Sequence, residues 1–147
     1  MNMKRLVLIL FLLMMLGTAV ACGGQTETAA PASAAEVELG EMLDLADTVD
    51  VQTVASIKDR EDVIVLDVRE QWEYDEGHIP GVTLIPLGEV ANRLAEIPTD
   101  KEVIVTCRSG NRSSQITDFL RQQGFDNVHN MDGGILAWEA AGYDVEQ

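Results

Sequence analysis

Apolar and polar positions alternate in two styles along the second two-thirds of the chain. Val63–Asp67 (VIVLD) and Glu102–Thr106 (EVIVT) are short apolar runs bounded by charged residues. That is the pattern of strands buried on both faces of a parallel sheet. Val49–Val51, Thr83–Ile85 and Asn127–Asn130 read as three shorter strands. Between them the apolar positions take helical spacing. Thr53–Lys58 and Glu70–Asp75 read as short helices, the second ending near Gly77. Glu89–Ile97 carries Val90, Leu94 and Ile97 and stops at Pro98. Ser113–Gln123 carries Ile116, Phe119 and Leu120 on one face and ends at Gly124, a natural C-cap. Gly133-Gly134 opens a last helix, Ile135–Ala141, closed by Gly142. Strands alternating with helices predict an α/β fold with a mainly parallel, five-stranded central sheet flanked by helices. No internal repeat is visible, which excludes a tandem two-domain form.

The N-terminal third follows a different pattern. Met1–Arg5 is short and basic, Leu6–Leu16 is unbroken apolar sequence, and Gly17–Ala21 is small and weakly apolar. These are the three parts of a secretory signal, and the apolar run is shorter than the roughly 20 residues of a membrane span. Cys22 follows Ala19-Val20-Ala21 and precedes Gly23-Gly24, which resembles a bacterial lipobox, with Ala19 where Leu is usual. The resemblance implies cleavage after residue 21, lipidation of Cys22 and an extracytoplasmic, membrane-anchored lipoprotein. An uncut anchor helix, or ordinary cleavage leaving a free Cys22 thiol, are the other readings. Gly23–Ala35 has no large apolar residue and reads as a flexible tether. Glu36–Thr48 is acidic and reads as a short helix leaning on the domain. The expected division is therefore a signal over 1–21, a lipidated tether over 22–48 and a folded domain over 49–147.

Composition narrows the partners. The chain has 147 residues, 10 Lys+Arg against 25 Asp+Glu, and a net charge of −15. Removing residues 1–21, which hold Lys4, Arg5 and no acid, leaves 126 residues with charge −17. That argues against nucleic acid and against adsorption on anionic lipid, so membrane contact is expected through the anchor alone. Two cysteines make neither a disulfide scaffold nor an all-Cys zinc site. No metal-ligand cluster and no phosphate-loop motif is present, and no cofactor is expected. A monomer is the expected state.

Candidate chemistry sits after the second buried strand. Glu102–Thr106 runs directly into Cys107-Arg108-Ser109-Gly110-Asn111-Arg112-Ser113, where a helix begins. A cysteine at that place lies among converging backbone N–H groups at the positive end of a helix, and Arg108 and Arg112 add charge. These favour the reactive thiolate. The bland alternatives are a small buried hydrophobe for Cys107 and solvated surface charges for the arginines.

Strand, Cys107-x-x-x-x-Arg112-Ser113, helix resembles the active loop of the rhodanese family of sulfurtransferases. Asp67-Val68-Arg69-Glu70, Gly77-His78-Ile79-Pro80-Gly81 and Gly133-Gly134-Ile135-x-x-Trp138 resemble three further segments of that family, in the same order, over about Val49–Val145. The loop runs six residues from Cys107 to Arg112, the length associated with sulfur transfer; related phosphatases carry one residue more. The resemblance implies a three-layer rhodanese-like domain. In it Cys107 takes a sulfane sulfur from a small sulfur-containing anion such as thiosulfate and passes it to a small thiol, cyanide or a protein dithiol. It also implies that the N–H groups of Arg108–Ser113 hold the sulfur, that Arg108 and Arg112 attract the anionic donor with Arg112 also bracing the loop, and that Asp67 and Arg69 support the loop. The alternative is a sulfur-binding or relay module that acts only with a protein partner. His78 reads as structural, His129 as structural or exposed, and Trp72 and Trp138 as core or edge packing.

Overall fold

The computed structural model describes residues 43–147; the leader, Cys22 and the tether to residue 42 lie outside the described residues. Five strands form one sheet: β1 (Thr48–Val49), β2 (Val63–Asp67), β3 (Thr83–Leu84), β4 (Glu102–Thr106) and β5 (Val128–Met131). Their order is β1-β5-β4-β2-β3, and every pairing is parallel. Four helices connect or follow them: α1 (Val51–Ile57), α2 (Gln71–Glu76), α3 (Asn111–Gln122) and α4 (Gly134–Ala140).

The alternation of side chains on β2 and β4 divides the interior into two cores. Val63, Val65 and Ile104 pack with Val54 of α1 and with Ile135 and Trp138 of α4. Leu66, Val103, Val105 and Val128 pack on the other face with Ile116 and Leu120 of α3. Both faces are covered, which is why these strands read as continuous apolar runs rather than alternating ones. β2 and β4 pair along their whole length, from Val63 opposite Glu102 to Asp67 opposite Thr106. The chain leaves β2 toward β3 on one side and leaves β4 toward β5 on the other. Strand order therefore reverses between β2 and β4, and the crevice beyond their carboxyl ends is where such sheets bind ligands. The turn after β2 and the loop after β4 face each other there.

Three sequence expectations change. The first strand is Thr48–Val49, not Val49–Val51, because the Asp50 carboxylate accepts the Thr53 N–H at 2.7 Å and caps a helix that already includes Val51. Glu89–Ile97 is not an α-helix but two 3₁₀ turns, Val90–Asn92 and Leu94–Glu96. Arg93, between them, has non-helical backbone (φ −121°, ψ 23°) and pairs with both Glu89 and Glu96, so the i→i+4 ladder never forms. Val90 and Ile97 are buried all the same; the spacing identified the inward side chains, not the hydrogen-bond ring. Finally, the described part of Glu36–Thr48 holds no helix. Leu43 and Leu45 pack on the core as extended chain, and the His129 Nδ1–H donates to the Ala46 carbonyl at 2.7 Å.

Candidate active site

Cys107 follows β4 and is almost sealed, with 1% of its surface exposed. The chain turns around its sulfur. Gly110 sits in the left-handed region (φ +88°), and α3 begins at the next residue, two earlier than the sequence reading. The Gly110 N–H donates to Sγ at 3.2 Å. The Ser113 hydroxyl reaches Sγ at 3.4 Å and the Gly110 carbonyl at 3.1 Å, and its one proton can serve either. Burial pushes the Cys107 thiol up. Hydrogen bonds from the Ser113 hydroxyl and the N–H groups of Ser113, Ser109 and Gly110 outweigh it, and the thiol titrates below its ordinary range. Donors converging on a sulfur stabilise its anion, because a thiolate accepts what a thiol accepts poorly. Ser109 serves through its backbone, with its side chain exposed. Asn111 is exposed, and its backbone carbonyl and Oδ1 accept from Gln115 Nε2.

The loop is held from behind by α4. Ile135 N–H donates to the Cys107 carbonyl at 2.9 Å and Leu136 N–H to the Arg108 carbonyl at 3.1 Å. That contact requires glycine at 134, where a Cβ would stand 2.3 Å from the Cys107 carbonyl oxygen. The pair Gly133-Gly134 is thus the docking point of a helix on the catalytic turn.

Arg112 is turned toward α2 rather than left free beside the sulfur. Its two Nη groups donate to the two Glu73 carboxylate oxygens at 2.7 Å each. Glu73 is the site residue that sequence reading missed, 39 positions away in the chain. Its one local signal was the Glu70/Glu73 spacing of a capping box at the start of α2, and the Glu70 N–H does donate to it. Arg112 beside it, helped by the Glu70 N–H, holds the Glu73 carboxyl down at about 2. A carboxyl depressed in the folded state stabilises above its unfolded pKa and loses that stabilisation as pH falls through the folded one. Glu73→Gln is therefore expected to cost about 2 kcal/mol at pH 7, allowing for partial solvent screening at Arg112. In urea titrations the gap from wild type should close between about pH 4.5 and pH 2. A gap independent of pH would contradict the pairing.

Asp67 and Arg69 form a buried pair, joined at 2.7–3.1 Å through Nε and Nη2. Arg69 also donates to the carbonyls of Glu73 at 3.2 Å and Gly77 at 2.9 Å. Its hydrogen bonds thus fasten α2, and the pair reaches the catalytic loop through Glu73 and Arg112. Both side chains are buried, so this is not a solvated surface pair. His78 stacks on Tyr74 with ring centroids 3.7 Å apart and donates to the Tyr74 carbonyl, a structural role. His129 bridges the Ala46 carbonyl and the Glu102 carboxylate. Trp138 is core, with its Nε1–H donating to the Asp144 carbonyl at 2.8 Å. Trp72 is not core: it stands 62% exposed on α2.

Arg108 and Arg112 of the loop line an open cleft of about 750 Å³, together with Trp72, Glu76, Leu136 and Glu139. Arg108 is exposed, and among the described residues its guanidinium has no ion-pair partner.

Several known proteins are similar to this chain. A sulfurtransferase of Allochromatium vinosum is 40% identical over 89 residues, spanning 60% of this chain and 83% of its own. The thiosulfate sulfurtransferase GlpE of Pseudoalteromonas translucida is 36% identical over 93 residues, spanning 63% and 89%. The crystal structure of a rhodanese-related protein from Thermoplasma volcanium matches with a TM-score of 0.63 and 32% identity, over 69% of this chain and 98% of that one. The model of the rhodanese-like domain matches residues 50–141, from the cap of α1 to the end of α4. With the family model spanning most of the chain and these relatives beside it, the chain belongs to the rhodanese-like domain family.

Proposed function

We propose that the protein is a sulfurtransferase that carries a sulfane sulfur on Cys107. The observation that carries this reading is the ring of donors around one buried sulfur: Gly110 N–H, Ser113 Oγ and the neighbouring N–H groups. In the first half-reaction the thiolate attacks the outer sulfur of a donor such as thiosulfate. The donor's S–S bond breaks, sulfite leaves with the bonding pair, and Cys107 becomes a persulfide. In the second, an acceptor thiolate, cyanide or a protein dithiol takes the outer sulfur and the Cys107 thiolate returns. The turn of N–H groups holds an anionic sulfur at either stage. With Cys22 lipidated at its sulfur, Cys107 is the one thiol of the mature chain, and the acceptor then comes from outside.

The same reading places the domain outside the cytoplasm, tethered to a bacterial membrane by a lipidated Cys22. It rests on the basic, apolar and small-residue order of Met1–Ala21 and on the residues around Cys22. Mass analysis of the mature N-terminus tests it: an acylated Cys22 supports the anchor, and a retained Met1 overturns it.

Sulfur transfer is tested by incubating the full chain with thiosulfate and other sulfane donors, followed by intact and peptide mass. A gain of one sulfur on the Cys107 peptide is expected. Sulfur acquired only from a partner protein would favour the relay module, and sulfur carried elsewhere than Cys107 would overturn both readings.

A further inference from the structure

The cleft lined by Arg108 and Arg112 of the Cys107 loop has the wrong charge balance for a dianion. Three guanidiniums and three carboxylates line it. Arg112 is neutralised by Glu73 through two 2.7 Å contacts, and Arg69 by the buried Asp67. Arg108 is left to offset Glu76 and Glu139. Beside these charges stand two of the three large hydrophobic side chains that the described surface leaves exposed, Trp72 at 62% and Leu136 at 44%.

We infer that this cleft selects an organic persulfide, a donor of low charge with an apolar body, over the thiosulfate dianion. The inference rests on the sulfur-transfer reading above. The two donors differ in the charge brought together at the sulfur. With thiosulfate, thiolate and dianion meet, and the products are the Cys107 persulfide anion and a sulfite dianion; three negative charges share the site throughout. With a protonated organic persulfide, Cys107–S⁻ and R–S–SH give Cys107–S–SH and R–S⁻, and one negative charge is present throughout. A single uncompensated guanidinium suits the second case. The R group then lies against Trp72 and Leu136, burying apolar surface that thiosulfate would leave wet. Glu76 and Glu139 repel the dianion before it reaches Arg108.

The test measures second-order rate constants for loading Cys107 of the full chain, read by intact mass. The donors are thiosulfate and the persulfide of N-acetylcysteine methyl ester, whose body is uncharged. The organic persulfide is expected to load at least about tenfold faster at low salt, with the ratio falling as added salt screens the rim. Glu76→Gln combined with Glu139→Gln should narrow the ratio about threefold by raising the thiosulfate rate. Trp72→Ala should narrow it from the other side by lowering the persulfide rate. Thiosulfate loading faster than the organic persulfide, or a ratio that neither variant moves, overturns the inference and leaves sulfur transfer standing. Loading of Cys107 by neither donor removes both.

Discussion

Cys107→Ser is expected to gain no sulfur from any donor while folding to within about 1 kcal/mol of wild type. The serine oxygen fits the space of the sulfur and can still accept the Gly110 N–H that now donates to Sγ. What is lost is the nucleophile. The donors around Sγ bring the thiol below its ordinary range and so favour the thiolate. The same donors leave a hydroxyl protonated, and an oxygen cannot form the S–S bond that stores the sulfur. A second measurement separates this chemistry from simple burial. In wild type, alkylation and sulfur loading should both rise with pH and level off below the ordinary thiol range, at the Cys107 pKa. Ser113→Ala removes the hydroxyl 3.4 Å from Sγ and should move both curves to higher pH together. Curves that stay in place would mean that backbone N–H groups alone tune the sulfur, and loading of Cys107→Ser would end the persulfide reading.

Which parts of this site were legible beforehand depended on the range of the interaction. β2 and β4 were read to the residue because each is a run of apolar side chains buried on both faces, a signal carried within five positions. Cys107, Gly110 and Ser113 were legible for the same reason, since strand, turn and helix follow one another directly. Glu73 was not, because its role exists only once the turn after β2 is laid against the loop after β4. The bracing role of its partner Arg112 is legible from the loop, but what Arg112 braces against, α2, is not. Asp67 and Arg69 were read as loop support, and their hydrogen bonds go to each other and to α2. That Trp72 stands on the solvent side of a six-residue helix is a tertiary fact that its local sequence does not carry. The 3₁₀ turns were missed on local grounds, because buried residues at positions 90 and 97 fit either helix type until the backbone at Arg93 is known.

The glycine at 134 is where fold and chemistry are least separable, and Gly134→Ala is expected to destabilise the protein by on the order of 4 kcal/mol. Part of that cost is backbone conformation, since φ is +56° and an L-residue there costs roughly 1–2 kcal/mol. The rest is contact. The new Cβ would lie 2.3 Å from the Cys107 carbonyl oxygen, 2.6 Å from the Arg108 carbonyl carbon and 2.7 Å from the Ser109 nitrogen. All three atoms are backbone of the catalytic turn, so no side chain can swing aside, and either α4 or the turn must move. Movement of α4 gives up the Ile135 and Leu136 N–H bonds to that turn. Movement of the turn displaces the N–H groups aimed at Sγ. The expected result is a large loss of urea stability together with a loss of sulfur loading in whatever fraction remains folded. Gly81→Ala provides the comparison: its φ is +79° and a Cβ there meets nothing within 4 Å. It should show the conformational cost alone, with loading retained. If Gly134→Ala cost no more than Gly81→Ala and loaded sulfur at the wild-type rate, α4 would not be what holds the catalytic turn.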